Sequence, residues 1–201
     1  MIELVYPYDD VPSVPPPTAE DVNRAAMQEG EEIKEEYFPV IDFSGLVKGI
    51  STRSYCHSGA KPLHPVVHLH IIDRYENIYL QKRSMSKDIQ PGKWDTAVGG
   101  HVIFGESIHE ALLREAIEEL GLREFNPIHI KTYQYESEIE KEFVTVFVAI
   151  GSFDLQPNLD EVEEGKWWRF EEVDASLGKS IFTPMFEQEY IQIKSSLLAL
   201  L

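Results

Sequence analysis

Residues 100–122 read GHVIFGESIHEALLREAIEELGL, a glycine-bearing loop running into a helix, and the rest of the chain is read outward from them. Ser107 followed three residues later by Glu110 forms a capping box, so a helix starts there. Gly121, just past the apolar pattern, ends it after about three to four turns. At about 100° per residue, Leu112, Leu113, Ala116, Ile117 and Leu120 fall on one arc, the expected buried stripe. Glu115, Glu118 and Glu119 fall on the adjoining arc.

Carboxylates at i, i+3 and i+4 repel one another, each like-charge pair costing an isolated helix roughly 0.2–0.5 kcal/mol. A divalent cation reverses that sign, and Mg²⁺ in particular favours carboxylate oxygen while sharing its shell with water and substrate phosphate. The alternative is a solvated acidic face, which a chain with 35 acids against 18 lysines and arginines can readily carry.

The spacing separates the two. Gly100, Glu106, Arg114, Glu115, Glu118, Glu119, Gly121 and Leu122 fit the pattern G-x5-E-x7-R-E-U-x-E-E-x-G-U, where U is a bulky aliphatic residue. Ala116, smaller than usual at one U position, is the departure. This is the Nudix box, and the chain resembles that superfamily. The resemblance implies an α/β (α+β) fold, a mixed β-sheet sandwiched between helices. It also implies metal-dependent hydrolysis of a diphosphate.

The flanking sequence fits that expectation. Tyr37 to Asp42 and Val47 to Tyr55 read as two strands around Ser44-Gly45. Val66 to Ile72 and Ile78 to Lys82 read as a hairpin, and Pro91-Gly92 as a turn before a strand led by Thr96 to Val98. Beyond the box, Ile128 to Tyr135 and Phe143 to Ile150 read as strands joined by the acidic loop ESEIEKE. A second acidic loop, NLDEVEEG, precedes a short strand from Lys166 to Phe170. Thr183 caps a last helix with Pro184 in its first turn, running to about Leu200 with Met185, Tyr190, Ile193 and Leu197 as its packing side.

Residues 1–36 differ in composition: Pro7, Pro12, Pro15, Pro16 and Pro17, and ten acids against Arg24 and Lys34. They read as an acidic, proline-rich arm on a domain of residues 37–201, with a short polar helix within 18–36 capped by Thr18. The arm's roles include a dimer contact, a lid or a solvated leader, so a homodimer is one reading.

Composition excludes several classes. A net charge of −17 opposes binding to nucleic acid polymers or anionic membranes. No apolar run reaches the roughly 18 residues that span a bilayer, and the first residues lack a basic leader, so a cytoplasmic protein is expected. The lone Cys56 excludes an internal disulfide and reads as a reduced thiol. There is no internal repeat.

The resemblance extends over roughly Tyr37 to Ser195 and is to the isopentenyl-diphosphate-isomerase-like Nudix hydrolases. It is carried by His57 and His64 in CHSGAKPLH, by KRSMSKDIQPGKWD, by Gly99-Gly100-His101, and by Glu140-Lys141-Glu142. In that family's isomerases the matching positions of His57, His64, His101, Glu140 and Glu142 hold a metal. The resemblance therefore implies a second site, suited to Mn²⁺ or Zn²⁺ as well as Mg²⁺. The isomerase's catalytic cysteine, however, falls at Gly99, which has no side chain to donate a proton.

For a hydrolase, the resemblance implies Mg²⁺ (or Mn²⁺) held by Glu115, Glu118 and Glu119, with Arg114 orienting a glutamate. Lys82, Arg83 and Lys87 are candidates to neutralise diphosphate oxygens. The general base is open among Glu118, Glu119 and the later-loop residues Glu161, Glu163 and Glu164. Trp167 and Trp168 point to opposite faces of a strand, so at least one is core. Three function classes stand: a diphosphate hydrolase, an isomerase, and a noncatalytic sensor of a diphosphate metabolite.

Overall fold

The computed structural model describes residues 3–5, 35–87, 89–160 and 162–201. The expected helix within 18–36 falls outside them except for Glu35 and Glu36, which are not helical, and the base candidate Glu161 also falls outside.

The chain builds nine strands and four helices among the described residues. Strand β1 (Tyr37–Ile41) pairs with β2 (Val47–Thr52) in a small antiparallel sheet. The strand expected to reach Tyr55 stops at Thr52, whose hydroxyl accepts from the Tyr55 N–H and caps a short helix, α1 (Arg53–Cys56). His57 closes that helix.

The large sheet is built on β3 (Leu63–Ile72) and β8 (Lys141–Ile150), which run parallel along their full length. All of β3 is buried, because helices cover both faces. Its odd residues Val67, Leu69 and Ile71 pack with the box helix α2 (Ile108–Leu120). Its even residues Val66 and Ile72 pack with α4 (Pro184–Leu198). His64, His68 and His70 share that even face by strand alternation.

The sheet forks beside β3. Strand β4 (Asn77–Arg83) pairs with β3 only at Ile71↔Tyr79 and Ile72↔Ile78, then leaves it. The chain segment carrying β5 (Trp94–Asp95) and β6 (Val98–His101) fills the gap, β5 against β4 and β6 against Val66 to Leu69 of β3. A cavity of about 550 Å³ opens in this fork, lined by residues of β3, β4, β5, β6 and β8 and by Arg53, Tyr135, Thr183 and Met185. Strand β7 (Ile128–Glu136) pairs with β8, and β9 (Val162–Arg169) with β4, completing the mixed sheet.

Some expectations shift. Helix α2 has its full capping box at Ser107 and Glu110, and its left-handed cap at Gly121 (φ 64°). Leu113, however, is 41% exposed, and Ile108 and Ala111 are buried instead. Strand β9 begins at Val162 rather than Lys166, since its pairing along β4 overrides the poor strand propensity of its glutamates. Phe170 then starts a helix, α3 (Phe170–Ser176), instead of ending the strand. Trp168 is a buried member of one hydrophobic cluster, and Trp167, partly buried, packs against the opposite one, so Trp168 is the core residue of the pair. In α4, Phe186 joins Tyr190, Ile193 and Leu197 as a buried residue, while Met185 is partly buried.

Candidate functional site

The box carboxylates are held by one arginine. Arg114 grips Glu106 with both arms of its guanidinium, Nε to Oε1 at 2.7 Å and Nη2 to Oε2 at 3.0 Å. Its Nη1 donates to Glu115 at 2.7 Å and to Glu118 at 3.0 Å, and Nη2 also reaches the His101 carbonyl at 2.9 Å. Burial would discharge this side chain, but the pairing with Glu106 and Glu115 outweighs it and raises its pKa. Every donor group of Arg114 is thus directed within the protein. It is placed to orient carboxylates rather than to meet a ligand. Glu119 lies deeper, its Oε2 accepting from Gln81 Nε2 at 3.1 Å and from the Gly99 N–H at 3.2 Å.

The β6 glycines are the partition between this helix and the cavity. Gly100 faces α2, and a Cβ there would collide with the Glu115 carboxylate. Only glycine permits that approach. Gly99 and His101 face the other way, into the cavity, as does His68 opposite Gly99 in register.

On the cavity side His57, His64, His101 and Glu142 converge, with one potential ligand atom from each lying within 4.8 Å of the others. Nε2 of His57 stands 3.1 Å from Nε2 of His101 and 3.4 Å from Glu140 Oε2. Nε2 of His101 is 3.7 Å from Glu142 Oε1. His64 and Glu142 are brought side by side by the parallel register of β3 and β8. Among the described residues, the buried atoms Nε2 of His64 and Oε2 of Glu142 have no hydrogen-bond partner, an arrangement that is costly unless something else meets them.

Electrostatics suit a cation. Burial, then Arg53 and His64, lower the His57 pKa to about 4, and burial likewise lowers those of His64 and His101. Neutral imidazoles are the form that ligates a metal. Burial and then Glu140 push Glu142 up to about 8, a strain that a divalent charge would relieve. Orphaned atoms and donor chemistry therefore both fit a divalent metal. Arg53 donates to His101 Nδ1 at 3.3 Å, a contact that ligation through Nε2 would displace, since Nδ1 would then carry the ring proton.

The substrate-binding candidates separate by strand alternation. Arg83 lines the cavity, 3.6 Å from Asp95. Lys82 is absent from the cavity lining and pairs with Glu163 at 3.0 Å, so those two sit together away from it. Lys87 follows β4 in the turn beginning at Ser84 and is likewise absent from the cavity lining. Glu118 is 52% exposed on its side chain. Cys56 is fully buried and off the cavity wall, its thiol pushed up by burial.

The NUDIX domain family matches residues 62–186, well over half of the chain. This is a Nudix protein. Among curated relatives, it is 34% identical over 125 residues to the isopentenyl-diphosphate Delta-isomerase of Kocuria rhizophila, covering 59% of this chain and 69% of that one. To the enzyme of the same name from Brevibacterium linens it is 25% identical over 167 residues, covering 79% and 92%. The likeness places this Nudix protein in the isopentenyl-diphosphate-isomerase-like branch. Its fold is that of DR0079 from Deinococcus radiodurans (TM-score 0.64, 22% identity, 74% of this chain and 92% of that one). It also matches the MutT protein of Methanosarcina mazei Go1 (TM-score 0.58, 25% identity, 68% and 96%). By class it is a Nudix-type hydrolase. No helix among the described residues is long and apolar enough to cross a membrane.

Sequence reasoning passed over His68, Gln81 and Glu189. His68 had a visible signal, since HPVVHLH puts three histidines on one strand face. Glu189 had another, as an acid on the packing side of the last helix.

Proposed function

We propose that this Nudix enzyme hydrolyses the diphosphate linkage of a nucleoside diphosphate derivative or related small organic diphosphate by attack of water on phosphorus. The observation that carries the reading is the Arg114 fork. It holds Glu106, Glu115 and Glu118 in fixed positions, beside a glycine partition that lets Glu115 and Glu119 approach a cavity wall containing Arg53 and Arg83.

Glu115, Glu118 and Glu119 would hold Mg²⁺ or Mn²⁺, and His57, His64, His101 and Glu142, with Glu140 beside them, would hold a second divalent cation. Such ions, when bound, supply neutralisation of diphosphate charge and a more acidic water. The protein's own part is geometric. Arg114 fixes the carboxylates, and Arg83 meets a phosphoryl oxygen. Glu118 or Glu119 accepts the proton of the attacking water. Glu163, on β9 and tied to Lys82, is the weaker base candidate.

An isomerase is the second reading, favoured by the His/Glu cluster and by the names of the relatives. Against it, Gly99 offers no proton and Cys56 is fully buried off the cavity wall.

The test is phosphate-monoester release from a panel of nucleoside diphosphate sugars, dinucleotides, coenzyme A and isoprenoid diphosphates with Mg²⁺ or Mn²⁺. Metal-dependent turnover lost in Glu119→Gln, whose amide oxygen can still accept from Gln81 and Gly99, supports the hydrolase. Isomerised isopentenyl diphosphate with no hydrolysis of the panel would replace it with the isomerase, and binding without turnover with the sensor.

A further inference from the structure

A buried polar network lies outside both metal-ligand sets. His68 and His70 of β3 reach Glu189 of α4, which is 0% exposed. Nδ1 of His68 donates to Oε2 at 2.9 Å, and Nε2 of His70 to Oε1 at 2.6 Å. The hydroxyl of Tyr133 in β7 donates to the same Oε2 at 2.7 Å. The other buried residues of α4 are Phe186, Tyr190, Ile193 and Leu197.

A desolvated carboxylate persists only where hydrogen bonds and an opposite charge compensate for the lost water. Of its three donors only a histidine can bring that charge. Burial opposes a charge on His68, but attraction to Glu189 outweighs burial and raises its pKa to about 9. Glu189 is correspondingly held below the carboxylate range, its burial offset by His68 and then His70.

The other ring nitrogen shows what the pair is for. With Nδ1 committed to Glu189, Nε2 of His68 has no hydrogen-bond partner among the described residues. The residue is only 7% exposed, and the surface it keeps is part of the cavity wall. Opposite it Gly99 has no side chain. A Cβ there would stand 3.4 Å from Cδ2 and 3.6 Å from Nε2, so glycine leaves that ring edge open. A network that merely stiffened the core would not need a donor aimed into the cavity.

We propose that His68, oriented by Glu189, is a substrate-contacting residue that donates through Nε2–H to an anionic phosphoryl oxygen of the diphosphate in the cavity. This rests on the reading of the cavity as a diphosphate site. Charge-assisted bonds of this kind are about twice as strong as neutral ones. A cation fixed inside also answers the acids Asp95, Glu140 and Glu142 of the same wall. Glu189 is a positioning residue, acting through His68.

The experiment uses methylenediphosphonate, a non-hydrolysable diphosphate, with the full chain in Mg²⁺, read by calorimetry and by ¹⁵N NMR of labelled histidines. Both ring nitrogens of His68 are expected to carry protons in the free protein, and the Nε2 signal to move on titration. His68→Gln is expected to weaken binding about ten- to hundredfold. Glu189→Gln should convert His68 to a neutral-ring signature and, with it, weaken probe binding by less than His68→Gln does, whereas a merely structural pair would leave probe binding unmoved. Unmoved His68 signals while the probe binds would overturn the proposal, as would normal binding by folded His68→Gln. Should His68→Gln fail to fold, the wild-type titration decides alone. Panel turnover without His68 engagement removes this inference and leaves the hydrolase. Probe engagement of His68 without turnover does the reverse.

Discussion

The two faces of the β6 glycines were built in different ways. On the α2 face, Glu106, Arg114, Glu115, Glu118 and Glu119 come from one short loop and helix, and the Arg114 guanidinium links three of the four carboxylates. On the cavity face, His57 follows α1, His64 and His68 come from β3, His101 from β6, Glu142 from β8 and Glu189 from α4. The first face is a local design that folds with its own helix. The second exists only once the sheet has forked and both helices have docked. Mutations on the α2 face should therefore affect chemistry with little loss of stability, and those on the other face should affect both.

The largest effect should come from Glu189→Leu, which strips His68, His70 and Tyr133 of their shared acceptor. Denaturant unfolding should show a loss of about 3–5 kcal/mol. Its pH dependence sharpens the point. His68 is raised from 6.5 to about 9, so its contribution is complete below about 6.5 and is lost as pH rises through 9. Glu189 is lowered, so its contribution holds above about 4.5 and fades in acid. The wild-type advantage over Glu189→Leu should be greatest near pH 5–6 and shrink by pH 9. A constant difference would mean that His68 carries no charge.

Next comes Glu119→Gln, expected to lower turnover about a hundredfold or more while the melting temperature moves by about 2 °C or less. Comparable losses of stability and activity would erase the contrast between the faces.

Gly100→Ala follows. The added methyl meets the Glu115 side chain rather than backbone, so Glu115 should swing aside. Activity should fall about tenfold to thirtyfold for a stability cost of about 1 kcal/mol.

His57→Ala should weaken Mn²⁺ binding at the cavity by about ten- to hundredfold, read by calorimetry, and leave the carboxylate site of α2 untouched. Smallest is Leu113→Glu, an exposed position on α2 where stability should change by about 0.5 kcal/mol or less.

The same contrast explains what could be read from the chain. The α2 face was legible because its determinants are local: a capping box, a left-handed glycine and a fixed spacing all act within a few turns of backbone. One error there, Leu113, arose because an arc of five residues is wider than the stripe the sheet covers. The cavity face was legible only through resemblance, since no periodicity brings His57, His101 and Glu142 together. Adjacent Lys82 and Arg83 were assigned one role although strand alternation sends them to opposite faces. Glu189 escaped notice because a sequence reading treats glutamate as solvated, and its partners lie on β3 and β7.

The most direct test of the hydrolase reading is turnover in H₂¹⁸O with Mg²⁺, using the diphosphate panel with isopentenyl diphosphate included and mass spectrometry of the products. One ¹⁸O is expected in a phosphate product, dependent on metal and formed about a hundredfold or more slowly by Glu119→Gln. An unlabelled, intact diphosphate with a shifted double bond would contradict it.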